Sequence, residues 1–279
     1  MTDINNRCAL ITGAASGIGR LLATRLASLG ARLVLWDIDT TGLSQAHAEL
    51  SGAGQKADVY TCDLTSREEI AAVAAQTLAQ SGPIDILINN AGIVSGKNLL
   101  DISDREIERT FQVNTLALFW TVRAFLPSML ERDSGHVVTV ASAAGLAGTA
   151  KLTDYCSSKF AAVGFDEALR LELKQQDSKI ITTVVCPFYT STGMFDGVKT
   201  RFSWLLPILK PEDVAERILK AIQGDRRRLV MPWFVYTTWP SRLLPVDWFD
   251  ALMVFFGVSH SMDEFRGGAG RARSNNRAR

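Results

Sequence analysis

Two side chains of the motif Tyr155-Cys156-Ser157-Ser158-Lys159 have the types and spacing of an acid/base pair. Residues four positions apart lie on the same face of a helix, so the ammonium of Lys159 would lie close to the phenol of Tyr155. A fixed positive charge favours the phenolate and predicts a Tyr155 pKa below the ordinary value of about 10. Tyr155 is therefore the candidate proton-transfer group.

A serine thirteen positions upstream, Ser142, follows a strand-like run and is the second candidate for chemistry. Its hydroxyl could hydrogen-bond a reacting oxygen, as the fixed donors of oxyanion sites do. Each residue also has an ordinary explanation, because Tyr-x-x-x-Lys pairs are common on helix surfaces and strand-end serines often cap turns. Their occurrence together, with a glycine-rich turn near residue 13, favours an oxidoreductase.

The glycine-rich turn contains Gly13, Gly17 and Gly19, between an apolar run at 8–11 and a helical pattern that ends at Gly30. This order predicts a strand, a turn and a helix. Glycines let the backbone pass close to a pyrophosphate, and the helix N-terminus presents free amides and a partial positive charge to it. The alternative is a strand–helix turn that needs glycine for its backbone alone.

An acidic residue, Asp37, ends the second strand-like run, about twenty residues beyond the glycines, where dinucleotide folds place an acid against the adenosine ribose. A carboxylate accepts hydrogen bonds from two free hydroxyls and repels a 2'-phosphate. No basic side chain is supplied by Ala15, Ser16 or Ile38, so NAD is favoured over NADP. The other interpretation of Asp37 is a helix cap.

With these motifs in this order, the chain resembles the short-chain dehydrogenase/reductase family over roughly its first 225 residues. The cofactor motif of the family reads here as Thr12-Gly13-x-x-x-Gly17-x-Gly19, and its structural motif as Asn89-Asn90-Ala91-Gly92. The resemblance implies that Lys159 also holds the nicotinamide ribose and that Asn114 bends its helix and holds a relay water. The implied catalytic residues are Asn114, Ser142, Tyr155 and Lys159.

The resemblance also implies a set of NAD-binding residues, although the chain has Phe188 where the family usually has a glycine after the sixth strand. In this set Asp63 would contact the adenine amino group, Asn90 would flank the adenosine ribose, and Thr192 would contact the nicotinamide amide or the phosphates. The implied residues are Gly13, Ser16, Gly17, Ile18, Gly19, Asp37, Asp63, Leu64, Asn90, Ala91, Gly92, Tyr155, Lys159, Pro187, Thr190 and Thr192.

The candidate substrate pocket is mostly apolar, which predicts a hydrophobic alcohol or its carbonyl as substrate. The segments 192–197 and 244–250 are similar to those of the retinol and hydroxysteroid dehydrogenase branch, which handles lipidic alcohols; retinoid, steroid and long-chain alcohols are not separated. Two alternatives stay open: an NADPH-dependent carbonyl or acyl-chain reductase, and a non-catalytic nucleotide-binding protein of lipid surfaces. The candidate substrate residues are Ser142, Tyr155, Phe188, Tyr189, Met194 and Phe195.

Apolar strand-like runs alternate with amphipathic helical segments, which predicts a single Rossmann-type, doubly wound parallel sheet of about seven strands with helices on both faces. Residues 1–228 are predicted to form the NAD-binding catalytic domain. Residues 229–265 would be an apolar, aromatic extension of the same domain, and 266–279 an Arg-rich, disordered tail.

Thirty basic and twenty-nine acidic side chains leave a formal charge of +1, which gives no electrostatic reason to expect nucleic acid. The four cysteines have neither zinc-site nor disulfide-framework spacing, and no metal site is predicted. Reduced thiols and a polar N-terminus without a signal region predict a cytoplasmic protein.

The aromatic extension contains three of the six tryptophans but no apolar run of the roughly 18–20 residues that span a bilayer. Three roles stay open for it: contact with a membrane surface, which the neighbouring arginines would support, closure of the substrate cleft, or a subunit contact. Family resemblance further implies a homodimer or homotetramer.

Overall fold

The computed structural model describes residues 1–267, and in it strands and helices alternate as the sequence predicts. The strands are β1 (Cys8–Thr12), β2 (Arg32–Asp37), β3 (Ala57–Thr61), β4 (Ile86–Asn89), β5 (His136–Val140), β6 (Ile181–Pro187) and β7 (Arg228–Met231). The helices are α1 (Gly17–Ser28), α2 (Thr40–Gly52), α3 (Arg67–Ser81), α4 (Asp104–Phe111), α5 (Ala117–Glu131), α6 (Thr153–Gln175), α7 (Pro211–Gln223), α8 (Thr238–Ser241) and α9 (Val246–Phe255).

All seven strands form one parallel sheet in the order β3-β2-β1-β4-β5-β6-β7, which confirms the predicted fold class. The central strand β1 pairs with β2 through Leu10 and Val34, and with β4 through Leu10 and Leu87. Strand order reverses between β1 and β4. Parallel sheets bind ligands at the carboxyl ends of the strands beside such a reversal, so the candidate residues should converge there.

Two apolar layers cover the sheet, because side chains alternate between its faces along each strand. Ala9 and Ile11 of β1 face the layer that contains α1, α2 and α7, with Leu26 and Ile218 among its members. Leu10 faces the layer that contains α3, α5 and α6. Burial on both faces explains why the strands are near-continuous apolar runs.

One continuous helix runs from Asp104 to Glu131 and changes to π-helix at Gln112–Leu116, between α4 and α5. By length and composition alone it could cross a membrane, and it is the one such helix within residues 1–267. Here it packs on α3 and β4, with Phe125 and Met129 fully buried. The helix therefore belongs to the apolar layer that packs on one face of the sheet.

The C-terminal extension continues the domain without a break. The proposed boundary after residue 228 falls inside β7, and Val230 and Val235 on its C-terminal side pack with Val184 and Leu118 in one cluster. Arg242 of the extension also donates two hydrogen bonds to the Leu146 carbonyl, at 3.0 and 2.7 Å. All but the first two residues of the predicted tail, 266–279, lie outside the described residues.

Candidate active site

The turn after β1 is fastened to the loop after β4 at the carboxyl end of the sheet. The hydroxyl of Thr12 accepts hydrogen bonds from the amides of Asn90 and Ala91, at 3.0 and 3.1 Å. In return, the Asn90 side chain donates to the carbonyls of Thr12 and Gly13, at 3.0 and 3.2 Å. The side-chain amide of Asn90 thus holds the turn in shape. The resemblance implies that the same residue flanks the adenosine ribose.

Two glycines of the turn are required by close contact. Gly13 has φ +66°, and a Cβ there would lie 2.9 Å from Ala91 Cα. A Cβ on Gly19 would overlap the Gly13 carbonyl and lie 2.7 Å from Asn90 Nδ2. Any side chain at either position would push the turn away from β4, so the spacing of the glycines reflects this geometry.

The N-terminus of α1 fits a pyrophosphate. Ser16 precedes the helix and its hydroxyl makes no capping hydrogen bond, and the first turn of the helix contains no acidic residue. A Cβ on Gly17 would lie 3.5 Å from Thr192, so backbone and threonine leave a narrow cradle at this end. Free amides, the helix dipole and a missing side chain together suit an anion.

The carboxylate of Asp37 is buried at the end of β2, beside this cradle. One of its oxygens accepts the Ala15 amide at 2.9 Å, and the other accepts the Asp39 amide at 3.0 Å. Each oxygen keeps lone-pair capacity for a further donor such as a ribose hydroxyl. Asp39, rather than Asp37, caps α2 through the Gly42 amide, so the helix-cap interpretation of Asp37 does not hold.

The remaining candidates for the cofactor site lie along the same edge. Asp63 accepts hydrogen bonds from the amide and hydroxyl of Thr65, at 2.9 and 2.8 Å, which orients its carboxylate at the end of the β3 loop. Thr190 is buried and donates to the Phe188 carbonyl. The others are Ile18 and Leu64, which pack on the two core layers, Pro187 at the end of β6, and Gly92 beside Lys159.

The phenol of Tyr155 is buried, and burial raises its pKa above the ordinary value. A hydrogen bond with Ser142 acts in the opposite direction but does not compensate. The Ser142 hydroxyl also accepts the Ala144 amide at 3.1 Å, which fixes its position next to the phenol. The sequence predicts a lowered pKa at Tyr155, and in this form that prediction is wrong.

The reason lies in the position of Lys159. Its ammonium donates to the Val140 carbonyl at 3.0 Å and lies 5.7 Å from the centroid of the Tyr155 ring, over the face of the ring rather than at the hydroxyl. Burial lowers the pKa of Lys159 to about 8. The spacing of four residues brings the two side chains onto one helix face, as predicted, but does not determine where the ammonium points.

Asn114 lies in the π-helical turn and is buried. Its side-chain oxygen accepts the Ile93 amide at 2.9 Å, while its nitrogen donates to the Ile93 carbonyl at 2.9 Å and to Ser158 Oγ at 3.0 Å. Asn114 thereby joins the loop after β4 to the helix that carries Tyr155 and Lys159. The π turn provides the helix irregularity that the resemblance implies at this residue.

The candidate substrate residues form an apolar wall around the phenol, with Met194 half-buried outside it. Phe195 packs edge-to-face on Tyr155, with ring centroids 5.6 Å apart, and Tyr189 packs on Phe195 at 5.1 Å. Phe188 contacts Tyr189 at 4.7 Å, so the residue that replaces the family glycine becomes part of this wall.

Sequence reasoning missed several residues that complete the site. Asp154 is buried next to Tyr155 and accepts hydroxyl hydrogen bonds from Ser95 at 2.7 Å and Thr110 at 2.9 Å, so it ties α6 to the loop after β4 and to α4. Met262 and Phe265 from the C-terminus pack against the same wall. Local motifs carry no signal for these contacts, since Asp154 lies 44 positions from Thr110 and 59 positions from Ser95.

Comparison with known proteins identifies the chain's relatives. The sequence profile described as short chain dehydrogenase matches residues 7–201. A Bos taurus protein named short-chain dehydrogenase/reductase family 16C member 6 is 44% identical, and covers 94% of this chain and 84% of its own length. Epidermal retinol dehydrogenase 2 of Mus musculus is also 44% identical, covering 95% and 87%. Retinol dehydrogenase 10-B of Danio rerio is 42% identical, covering 94% and 85%.

Solved structures show the same fold. A short-chain dehydrogenase/reductase from Burkholderia phymatum in complex with NAD superimposes with a TM-score of 0.78 at 28% identity, over 87% of this chain and 95% of that one. A metagenomic short-chain oxidoreductase in complex with NADP gives a TM-score of 0.68 at 31% identity, over 82% and 96%. The relatives thus include both cofactor types.

Proposed function

The chain belongs to the short-chain dehydrogenase/reductase family of oxidoreductases, and we propose that it uses NAD to interconvert a hydrophobic alcohol and its carbonyl. One observation carries the proposal. A buried phenol and a serine hydroxyl meet within an apolar wall, at the edge of the sheet where the α1 cradle and the Asp37 carboxylate fit a dinucleotide. Few other activities need these four features together.

In this mechanism bound NAD supplies the hydride acceptor, and the side chains of the protein manage the oxygen and its proton. Ser142 donates a hydrogen bond to the reacting oxygen and holds it beside Tyr155. The Tyr155 hydroxyl exchanges the proton: as phenolate it takes the proton of the alcohol, and as phenol it returns one to the carbonyl.

Lys159 makes proton transfer reversible within this buried site. Its ammonium and the Asn114 side chain both lie against Gly92, 3.4 Å from the position that a Cβ would take there. An ammonium that leaves the Val140 carbonyl and approaches the phenol would favour the phenolate by direct charge attraction. We therefore assign Lys159 to holding a charge near Tyr155, and Asn114 to positioning both the loop and the helix.

The choice of NAD over NADP rests on Asp37. Its buried carboxylate lies beside the turn amides, where a 2'-phosphate would meet a negative charge at close range. Arg20, a basic side chain in the first half of α1, is paired with Glu49 near the end of α2. Charge repulsion by Asp37 and the pairing of Arg20 with Glu49 both support NAD.

The substrate class follows from the wall around Tyr155. Its rings and aliphatic side chains offer shape and apolar contact, which suits a retinoid, a steroid or a long-chain alcohol and excludes selection by charge. The names of the relatives, retinol dehydrogenases and an estradiol 17-beta-dehydrogenase, support the same class. We propose retinoid-like or steroid-like alcohols as the first compounds to assay.

We also propose that the C-terminal extension contacts a membrane surface. Helix α9 has no buried residue, and large apolar side chains of the extension are unusually exposed: Leu243 at 88%, Val246 at 73%, Trp233 at 70% and Trp248 at 67%. Exposed tryptophans next to basic side chains are typical of interfacial segments. A lipid surface would also concentrate a hydrophobic substrate.

The decisive experiment measures NAD reduction with retinol, hydroxysteroids and alcohols of increasing chain length, in the presence of liposomes. Tyr155→Phe keeps the shape of the ring and deletes the proton-transfer group, so kcat should fall by about 10²- to 10⁴-fold. NAD affinity should stay within about twofold, because the phenyl ring and Lys159 remain. Tyr60→Phe, which removes another buried hydroxyl far along the sheet on β3, is the control.

Three outcomes would contradict the proposal in different ways. Full turnover by the Tyr155→Phe protein would remove Tyr155 from the mechanism. A higher kcat/KM with NADPH than with NADH would support the carbonyl or acyl-chain reductase instead. NAD binding without any NADH production across the alcohols would support a non-catalytic nucleotide-binding protein.

A further inference from the structure

Residues 258–267 follow α9 and cross the candidate active site; we call this segment the strap. It touches all three loops that surround Tyr155. Phe265 packs over Gly96 in the loop after β4, so closely that a Cβ on Gly96 would overlap its ring. Lys151, in the loop after β5, pairs with Asp263 at 2.8 Å. The strap therefore contacts the loops after β4 and β5, on either side of Tyr155.

The loop after β6 holds the strap most firmly. The Lys199 amide donates to the Ser261 carbonyl at 3.2 Å, and the Arg266 amide donates to the Asp196 carbonyl at 3.0 Å. Lys199 also pairs with Glu264 through its side chain at 2.6 Å. Two backbone hydrogen bonds and an ion pair thus join the two segments, which run antiparallel.

A buried hydroxyl pair forms the centre of this attachment. Ser261 and Tyr189 are 2% and 8% exposed, and their hydroxyl oxygens lie 2.8 Å apart. Ser261 donates its single hydroxyl proton to the Val258 carbonyl at 2.7 Å, so Tyr189 is the donor in the pair. Tyr189 is a wall residue of the candidate pocket, and the bond therefore fixes the strap to the wall itself.

Two apolar side chains of the strap reach the reacting centre. Met262 is 2% exposed and belongs to the apolar cluster of Tyr155, and Phe265 lies 6.5 Å from Phe195 between ring centroids. Phe195 is in turn in edge-to-face contact with Tyr155. Only one ring therefore separates the strap from the phenol.

We propose that the strap is the distal wall of the substrate cleft, and that Phe265 determines the length of substrate that the cleft accepts. The proposal rests on the proposed function, since it assigns the specificity of the same site. A hydrophobic substrate whose oxygen lies at Ser142 and Tyr155 must extend past Phe195, and there it meets Phe265. Removing that ring lengthens the cleft, while removing the Ser261 hydroxyl loosens the wall.

The test compares Phe265→Ala, Ser261→Ala and a control, Lys220→Gln, which breaks a similar surface ion pair with Glu216 on α7. The substrates are primary alcohols from butanol to dodecanol. For Phe265→Ala we expect the ratio of kcat/KM for dodecanol to that for butanol to change by about tenfold in favour of dodecanol, as expected for a pocket that gains a ring's volume. The control should keep the original ratio.

Amide hydrogen exchange of the full chain with NAD provides a second readout that does not need turnover. Ser261→Ala should speed exchange at Lys199 and Arg266 about fivefold or more, through loss of one hydrogen bond at the centre of the attachment. Added decanol should slow exchange across residues 258–267 of the unaltered protein. Lys220→Gln should change neither result.

The outcomes separate the two proposals. Turnover of alcohols with an unchanged chain-length ratio in Phe265→Ala and no effect of decanol on the strap would overturn the strap proposal alone. Protection of the strap by decanol, without turnover of linear alcohols, retinol or hydroxysteroids, would support the strap and overturn the proposed function. If neither turnover nor protection were observed, both proposals would be overturned.

Discussion

At the scale of single residues, burial favours the neutral forms of both Tyr155 and Lys159, the two ionisable groups of the candidate centre. Burial raises the pKa of Tyr155 and lowers the pKa of Lys159 to about 8, since each charged form loses hydration. The unliganded site thus holds a protonated phenol. Carbonyl reduction can start from this form directly, whereas alcohol oxidation must first remove a proton from Tyr155.

This difference predicts opposite pH profiles for the two directions. The kcat/KM for alcohol oxidation should rise with pH up to at least pH 9, because oxidation needs the phenolate and burial raises the pKa of Tyr155. The kcat/KM for carbonyl reduction should be highest at lower pH, where the phenol is protonated. Initial rates from pH 6 to 10 in both directions provide the measurement. An oxidation rate that falls from pH 7 to 9 would contradict the assignment of Tyr155 as base.

A second residue-scale prediction concerns Asp37 and the cofactor. Asp37→Asn keeps the shape of the side chain and removes its charge, so the preference for NAD over NADP in kcat/KM should fall about tenfold or more, since hydrogen bonds to charged groups contribute about 1.5–3 kcal/mol. Asp39→Asn is the matched control, because Asn is an equally good cap for α2. Equal preferences in the two variants would exclude the ribose contact.

The sequence predicted which residues form the turn better than it predicted the protonation of Tyr155. The positions of Gly13 and Gly19 follow from close contacts that the cofactor motif encodes, and the structure has them at the turn. The pKa direction of Tyr155 was not predictable, because it depends on how the core buries the phenol and on the Val140 carbonyl of β5, which binds the Lys159 ammonium. The spacing of Tyr155 and Lys159 along the sequence indicates neither the burial nor the hydrogen bond to Val140.

At the scale of elements, α6 carries Tyr155 and Lys159, and contacts with neighbouring segments position the helix. The sequence predicts the alternation of strands and helices, since apolar periodicity is local. The π turn at Gln112–Leu116 was not predictable from periodicity, because it depends on Asn114 bonding to Ile93 and Ser158 in two other segments. Elements form from local pattern, while their irregularities come from tertiary contacts.

The buried carboxyl of Asp166 makes α6 sensitive to pH. Asp166 is 2% exposed, and burial raises its pKa to about 7 against the opposing charges of Arg170 and Arg228. The unfolded chain holds this group near a pKa of about 3.9. Because the folded pKa is the higher one, its stabilising contribution is complete below pH 4 and is lost as the pH rises through 7.

Asp166→Asn should therefore flatten the dependence of stability on pH. At pH 8 the variant should be more stable than the unaltered protein, by on the order of 2 kcal/mol, because a neutral amide avoids the cost of a buried charge. Urea unfolding at pH 5 and pH 8 measures the difference. Asp177→Asn, at an exposed position beyond α6, is the control, and an equal effect in both variants would point to general charge rather than to burial.

At the scale of the whole molecule, the C-terminal extension carries a cluster of aromatic side chains. In the C-terminal extension the exposed rings of Trp233 and Phe255 contact the half-buried rings of Phe234 and Phe256, which pack on the core. Arg201 stacks on this cluster over Phe255 at 5.4 Å. The sequence indicated an aromatic segment, but its exposure could be seen only once the fold was complete.

If this surface contacts lipid, the combined Trp233→Ser and Trp248→Ser variant should bind anionic liposomes at least tenfold more weakly, because two indole rings no longer enter the interface. Leu171→Ser is the control, because Leu171 is a half-exposed apolar residue on α6, outside the C-terminal extension. Sedimentation with liposomes measures binding.

Light scattering on the same variants tests whether the C-terminal extension forms a subunit contact. We propose a homodimer or homotetramer, with exposed Phe119 and Phe160 of α5 and α6 available for self-association. A tryptophan variant that keeps its liposome affinity but changes its mass in solution would show a subunit contact instead of a lipid contact.

The order of strands in the sheet also governs how the chain can fold as the ribosome releases it. Strands β1, β2 and β3 can pair as soon as residue 61 emerges, but the inner edge of β1 waits for β4, which ends at Asn89. Until then the most buried strand of the finished sheet offers a bare row of amides and carbonyls to any other nascent chain. Supplying a chaperone over this interval should raise the yield of soluble protein, and slowing translation over the same interval should lower it.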